Sequence, residues 1–290
     1  RTATKMAAET RPSRDDGQLV LESPSAERNK GPIYDRLLAP IVFPRLTDHA
    51  NAKNDDNGGG GDDTIKVLEL AAGCGVHTTH FVSSFLSANE EGGEQRRSSS
   101  RSYGVEWHPS DPDAEARCSI DARVRREGLD AHVVKSNGWI LGRSGGTACG
   151  DGNRDGGDAG IASLRRSGSG TGVVEGNNDA NYERHEDSFD LALCINMIHI
   201  APWEATLGLV ECCGRVLRRG GMLVCYGPYK VGGTAVESNL RFDGSLRSRN
   251  PDWGVRNLED VVDAAKREGL EFVLKEEMPA NNLGVIFRKT

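Results

Sequence analysis

Short apolar runs alternate along the chain with segments whose apolar positions recur at helical spacing. Ile65–Ala71 (IKVLELA) is almost continuously apolar and runs into a glycine turn, the pattern of a strand buried on both faces of a parallel sheet. A helix is predicted over Thr78–Leu86, a second strand over Tyr103–Trp107, and a helix over Pro112–Gly128 that ends on its glycine. Phe189–Met197 reads as another buried strand. Pro202 suits a first helical turn, after which Leu207, Val210, Gly214 and Leu217 keep helical spacing until Gly220-Gly221. Met222–Tyr226 is a strand. Asn257 and Asp260 resemble a capping pair before Val261, Val262 and Ala265, and Gly269 closes that helix. Glu271–Glu277 and Leu283–Arg288 are five residues apart and predict an antiparallel closing hairpin. Repeated strand–helix alternation predicts an α/β fold with a doubly wound, mostly parallel sheet.

Three stretches break this pattern. Residues 51–63, 89–102 and 142–187 are polar, and the last holds 12 glycines in 46 residues. Composition of this kind cannot repay the entropy of ordering, so all three read as disordered, Gly-rich or charged insertions. With residues 1–23 read as a disordered start, 24–290 is expected to form a single domain. No run approaches the roughly 20 apolar residues of a membrane helix. The first residues lack the apolar segment of a secretory signal; Arg1, Lys5, Arg11 and Arg14 suit a transit peptide but Glu9, Asp15 and Asp16 count against one, so a cytoplasmic location is expected, with an organellar one as the alternative. Seven cysteines without a CxxC pair suit a reducing compartment. A net charge of -7 argues against nucleic acid as a partner.

The most informative segment is Val67–His77 (VLELAAGCGVH), where an apolar strand passes through Gly73-Cys74-Gly75 into a helix. Glycine there allows positive φ and close approach of a ligand, at the strand edge where α/β sheets bind ligands. Dinucleotide, nucleotide phosphate and S-adenosylmethionine compete for this turn. The third glycine of G-x-G-x-x-G is replaced by Thr78, and no lysine completes a phosphate loop. Glu69 stands inside the apolar strand, where an unpartnered carboxylate is costly. It fits the amino group of S-adenosylmethionine, or alternatively pairs with a core arginine. The backbone of Ala71, Gly73 and Gly75 would form the cradle. A second acid is expected at the end of the next strand for ribose hydroxyls; Asp111 is preferred over Glu106, the plain alternative being a helix cap.

Seven ordered blocks carry a resemblance: SAERNKGPI (25–33), LELAAGCGVHTTHF (68–81), EWHPSDPD (106–113), CINMIHIAPWEAT (194–206), YGPYK (226–230), SNLRFDGSLRSRNPDWGVR (238–256) and MPANN (278–282). In these the chain resembles the methyltransferase-like 26 family, one of the class I S-adenosylmethionine-dependent methyltransferase-like families. The resemblance implies a Rossmann-like, seven-stranded methyltransferase fold with S-adenosyl-L-methionine as cofactor, and names no substrate. It implies that Arg28 covers the cofactor and meets its carboxylate, unless the segment simply packs as a helix on the sheet edge, and that Asn196 lies beside the methyl donor. Leu141 stands where similar proteins carry an aspartate near adenine.

Other candidates surround the acceptor. His199 reads as a general base, a substrate clamp or a structural histidine. Tyr226, Asn239, Asp243, Arg256, Asn281 and Asn282 gather at the strand-end rim and read as a substrate pocket or a hydrogen-bonded lid. His199, Asp243 and Tyr226 are the catalytic candidates, and Asn239, Arg256, Asn281 and Asn282 the substrate-binding ones. His199, Tyr226, Asp243, Arg256 and Asn282 are predicted to share one cavity. Cys74, His77 and His80 lack a fourth ligand, so no metal is expected. The sequence therefore reads as a methyltransferase acting on an unidentified small polar acceptor, without nucleic-acid or membrane partners. A non-catalytic S-adenosylmethionine-binding sensor or scaffold is the alternative, and an NAD-dependent oxidoreductase the third.

Overall fold

The computed structural model describes residues 11–15, 18–47, 64–95, 103–138 and 185–290. Strands β1 (Arg11–Asp15) and β2 (Gln18–Glu22) pair antiparallel. This corrects the expectation that residues 1–23 are unordered throughout. Helix α1 (Pro24–Ile33) opens on Ser23, whose hydroxyl accepts from the Ala26 N–H, and continues into a π-helical stretch, Tyr34–Val42. The central elements follow in order: β3 (Thr64–Leu70), α2 (Val76–Gln95), β4 (Gly104–Ser110), α3 (Ala114–Arg126), β5 (Phe189–Ile195), α4 (Trp203–Val216) and β6 (Leu217–Gly227). After a short strand β7 (Tyr229–Lys230) come α5 (Glu237–Arg249), β8 (Arg256–Asn257), α6 (Leu258–Arg267), β9 (Leu270–Met278) and β10 (Asn282–Lys289).

The main sheet has six strands in the order β4-β3-β5-β6-β10-β9. β3 through β6 run parallel, and β10 lies antiparallel to both β6 and β9. The seventh strand of the expected fold is reduced to two isolated parallel bridges on the outer side of β4, Trp107–Val133 and Ser110–Asn137. That open flank explains why β4 continues through Pro109, beyond its expected end at Trp107. A missing N–H is tolerated where no full strand needs it.

Side chains alternate between two cores. Val67, Leu191, Leu193, Met222 and Val224 face one cluster with Leu37, Phe81, Trp107 and Ile120. Leu68, Ala192, Cys194, Leu223 and Cys225 face the other with Leu209, Cys213, Val261 and Ala265. Helices cover both faces, which is why the strands are apolar without alternation. The chain leaves β3 toward β4 and returns on the other side to β5, so the ligand-binding crevice of such a sheet opens between the ends of β3 and β5.

Other differences from the sequence reading are local. α2 extends to Gln95, so residues 89–95 of the expected insertion at 89–102 are helical. The remaining stretches, including 51–63, most of 142–187 and Leu141, lie outside the described residues. Asn257 occupies the N-cap of α6 without making a side-chain cap bond. Helix α5 has no counterpart among the predicted elements.

Candidate functional site

The strand β3 delivers Glu69 to the core at 2% exposure. One carboxylate oxygen accepts from the Thr78 hydroxyl (2.7 Å) and from the Trp107 indole N–H (2.8 Å). Its partners are thus neutral donors and not a core arginine. Burial is the largest influence and pushes its pKa up to about 7, against the lowering effect of the two donors. Ala71 follows with φ 55°, and Gly73 and Gly75 with φ 60° and 84°. The Gly73 N–H donates to Asp111 Oδ2 at 2.9 Å, while Asp111 Oδ1 accepts from the Asp113 N–H. Burial raises the Asp111 pKa to about 6. The cap of α3 is Asp113, so Asp111 is not the helix cap. Glu106, the rival acid, is 41% exposed and pairs with His108 and Lys66.

The two glycines differ. A Cβ on Gly75 would stand 2.9 Å from the Cα of Ile120, so the turn packs directly on α3. A Cβ on Gly73 would meet nothing within 4 Å. The turn is therefore closed on the helix side and open at Gly73.

At the end of β5, Asn196 takes φ 58°, and its N–H donates to the Tyr226 carbonyl. A cavity of about 750 Å³ opens here. It is lined by Arg28 and Asn29 of α1, by Asn196 and His199, by Tyr226 of β6, by Asn239 and Phe242 of α5, and by Asn282. Asn29 ties this wall to the glycine turn: its Oδ1 lies 2.6 Å from His77 Nε2 at the start of α2. Burial lowers the His77 pKa to about 3, so the neutral ring donates to that oxygen.

His199 is 4% exposed, and burial, with the charge of Arg256 second, lowers its pKa to about 4. Its Nδ1 is sealed and has no hydrogen-bond partner among the described residues. A Cβ on Gly227 would lie 3.1 Å from both Nδ1 and Cε1, so glycine at that position makes room for the ring. Phe242 meets the imidazole edge-on, with centroids 5.7 Å apart. The Tyr226 hydroxyl accepts from Asn282 Nδ2 at 3.0 Å.

Three expected pocket residues do other work. Asp243 accepts from Lys230 Nζ (2.8 Å), from Arg247 and from the Val255 N–H, and it does not line the cavity. Fully partnered, it is not placed to take a proton from an acceptor. Arg256 donates through Nε to the Ile198 carbonyl (3.0 Å), through Nη2 to the Ala201 and Asp252 carbonyls, and lies over the Trp203 ring. With the Gly254 N–H donating to the His199 carbonyl, it clamps the loop that carries His199. Asn281 donates to the Ser238 hydroxyl, and its carbonyl accepts from Asn239, so it fastens α5 to the β9–β10 turn. His199, Tyr226, Asn239, Asn282, Asn196 and Arg28 do share one cavity.

The sequence did not show Thr78 and Trp107 as the partners of Glu69, Asn29 as the partner of His77, or Gly227 as the seat of the His199 ring. The only available signal was that a buried acid at position 69 must find donors. Among the described residues, no group of three or more His, Cys, Asp or Glu is placed to hold a metal ion. No described helix is long and apolar enough to cross a membrane.

The fold is similar to that of O-methyltransferases of known structure. An O-methyltransferase family protein from Burkholderia thailandensis matches at TM-score 0.53 and 9% identity, over 99% of this chain and 82% of that one. An O-methyltransferase family 2 protein from Planctomyces limnophilus, in complex with apigenin, matches at 0.51 and 13% identity, over 93% of this chain and 63% of that one. The mitomycin 7-O-methyltransferase MmcR matches at 0.51 and 10% identity, over 91% and 60%. The chain thus spans under two thirds of the length of the last two. What the chain shares with these proteins is the fold. A family model described as "Protein of unknown function (DUF938)" matches residues 171–289, which include β5, His199 and every element after them.

Proposed function

We propose that the chain is an S-adenosylmethionine-dependent methyltransferase of the methyltransferase-like 26 type, acting on a small polar acceptor. The observation that carries this reading is the single cavity at the end of β5, tied by Asn29 to the glycine turn and walled by a buried neutral histidine. The open space at Gly73 fits a ligand lying against the backbone, and Asp111 beside it offers a carboxylate to ribose hydroxyls. Arg28, on the cavity wall, supplies a cation for the ligand's carboxylate.

When bound, S-adenosylmethionine supplies an electrophilic methyl group on a sulfonium. The chain's own work is placement, which contributes much of the barrier reduction in such displacements. Tyr226 and Asn282 hold one wall rigid, and Phe242 packs against the imidazole and lines the acceptor cavity. His199 takes the acceptor proton at Nε2, because Nδ1 is sealed against Gly227; in that role the ring carries its hydrogen on Nδ1. A second reading, a non-catalytic S-adenosylmethionine sensor, is favoured by one observation: among the described residues no carboxylate lines the cavity to orient His199 or strengthen it as a base.

Turnover separates the two. Protein incubated with S-adenosylmethionine and a small-metabolite extract is expected to release S-adenosylhomocysteine. His199→Ala should lower that rate on the order of a hundredfold while still binding S-adenosylhomocysteine. Binding without turnover in wild type would favour the sensor, and an equal loss of both in the variant would move His199 to the cofactor site.

A further inference from the structure

Arg256 lines a second cavity, of about 620 Å³, that has no part in the proposed methyl transfer. Trp203 and Leu207 at the start of α4 form an apolar wall. Lys230, Arg247 and Arg267 bring cations to it along with Arg256. The charges there are unevenly matched. Lys230 and Arg247 share one carboxylate, Asp243, and the hydrogen bonds of Arg256 go to backbone carbonyls, with the Glu204, Asp243 and Asp252 charges acting on it only through space. Burial lowers the Arg256 pKa, and the neighbouring Arg247 charge is the next cause. Arg256 uses Nε and Nη2 on the carbonyls, and Nη1 makes no hydrogen bond among the described residues. Asp260 and Asp263 are the carboxylates that line the cavity, both at exposed positions on α6. They disfavour an extended polyanion and leave room for a compact one.

We propose that this cavity is a second ligand site, taking a small oxyanion, a phosphate or carboxylate group, between Arg247 and Arg256. Its occupancy is felt at His199, because Arg256 holds the carbonyls of Ile198 and Ala201 on either side of that residue. An oxyanion meets the free Nη1 donors and offsets the repulsion between Arg247 and Arg256, and charge-assisted bonds of this kind are about twice as strong as neutral ones. The binding claim stands independently of the methyl-transfer reading.

The test uses the whole chain, titrated with inorganic phosphate and separately with acetate, against chloride at matched ionic strength. Melting temperature and the imidazole signals in nitrogen–proton correlation spectra are followed together. The expected result is a saturable rise in melting temperature beyond chloride with at least one probe, and the preferred probe distinguishes a phosphate from a carboxylate ligand. Arg247→Ala and Arg267→Ala should each weaken the apparent affinity roughly tenfold, with little change of melting temperature in chloride. If one variant does not fold, the other decides. His199 signals should move on saturation of the wild type. An effect no larger than chloride, or one that survives both substitutions, overturns the site. Saturable binding that leaves His199 unmoved overturns the link between the two cavities.

Discussion

Glu69 should weaken the fold as pH rises. Its carboxyl pKa lies at about 7 in the folded chain, against 4.5 for the free group, with burial the main cause. A group raised in this way contributes stability below its unfolded pKa, and that contribution is lost as pH climbs through the folded value. A tenfold change in proton affinity is worth about 1.4 kcal/mol. The difference between 4.5 and about 7 therefore amounts to about 3 kcal/mol, lost mainly between pH 4.5 and pH 7, with about 2.5 kcal/mol of it falling between pH 5 and pH 8. Glu69→Gln keeps an amide oxygen to accept from Thr78 and Trp107 and removes the titration. Urea unfolding of variant and wild type at pH 5 and pH 8 should show the stability difference moving toward the variant by about 2–3 kcal/mol. A difference that does not change with pH would refute the reasoning, because the carboxyl would then titrate alike in the folded and unfolded chain. The same variant is expected to bind S-adenosylhomocysteine more weakly, which would explain a carboxylate that costs stability at neutral pH.

Gly75→Ala should cost about 2–4 kcal/mol by urea unfolding, since it combines a left-handed alanine with a Cβ driven against Ile120. Gly73→Ala carries only the left-handed term, about 1–2 kcal/mol, and should instead lose ligand binding in calorimetry; equal stability losses would mean that Gly73 is packed after all. Gly227→Ala is expected to displace the His199 ring and lower turnover while leaving S-adenosylhomocysteine affinity in place, measured by coupled assay and titration. Arg256→Met should free the Ile198–Ala201 carbonyls and speed hydrogen exchange at the Gly254 amide, with a stability loss of about 1–3 kcal/mol. Unchanged exchange there would remove Arg256 as the clamp of that loop.

The two-sided core and the glycine turn were legible because burial on both faces leaves unbroken apolar runs, against which Glu69 stands out. His199 was legible from its place just past such a run. Helix α5 was not, since only Asn239 and Leu246 of its thirteen residues are buried and no apolar stripe marks it. The pairing of β2 with the body was hidden for a related reason. Leu21 is held through its backbone by Ser119 and Arg123, polar residues whose spacing carries no strand signal. Asp243 and Arg256 belong to the right neighbourhood, but Lys230 and the Val255 N–H that hold Asp243, and the carbonyls of Ile198 and Ala201 that take Nε and Nη2 of Arg256, are brought close only by the tertiary structure. A charge near a site is legible in sequence; whether it is already spent is not.

The central claim is that the turn after β3 seats S-adenosylmethionine. Its most direct test is a calorimetric titration of the purified chain with S-adenosylhomocysteine, run in parallel on Gly73→Val. Wild type is expected to show saturable one-to-one binding, lost in the variant while the variant keeps its fold. No binding by wild type, or equal binding by a folded Gly73→Val, would contradict it.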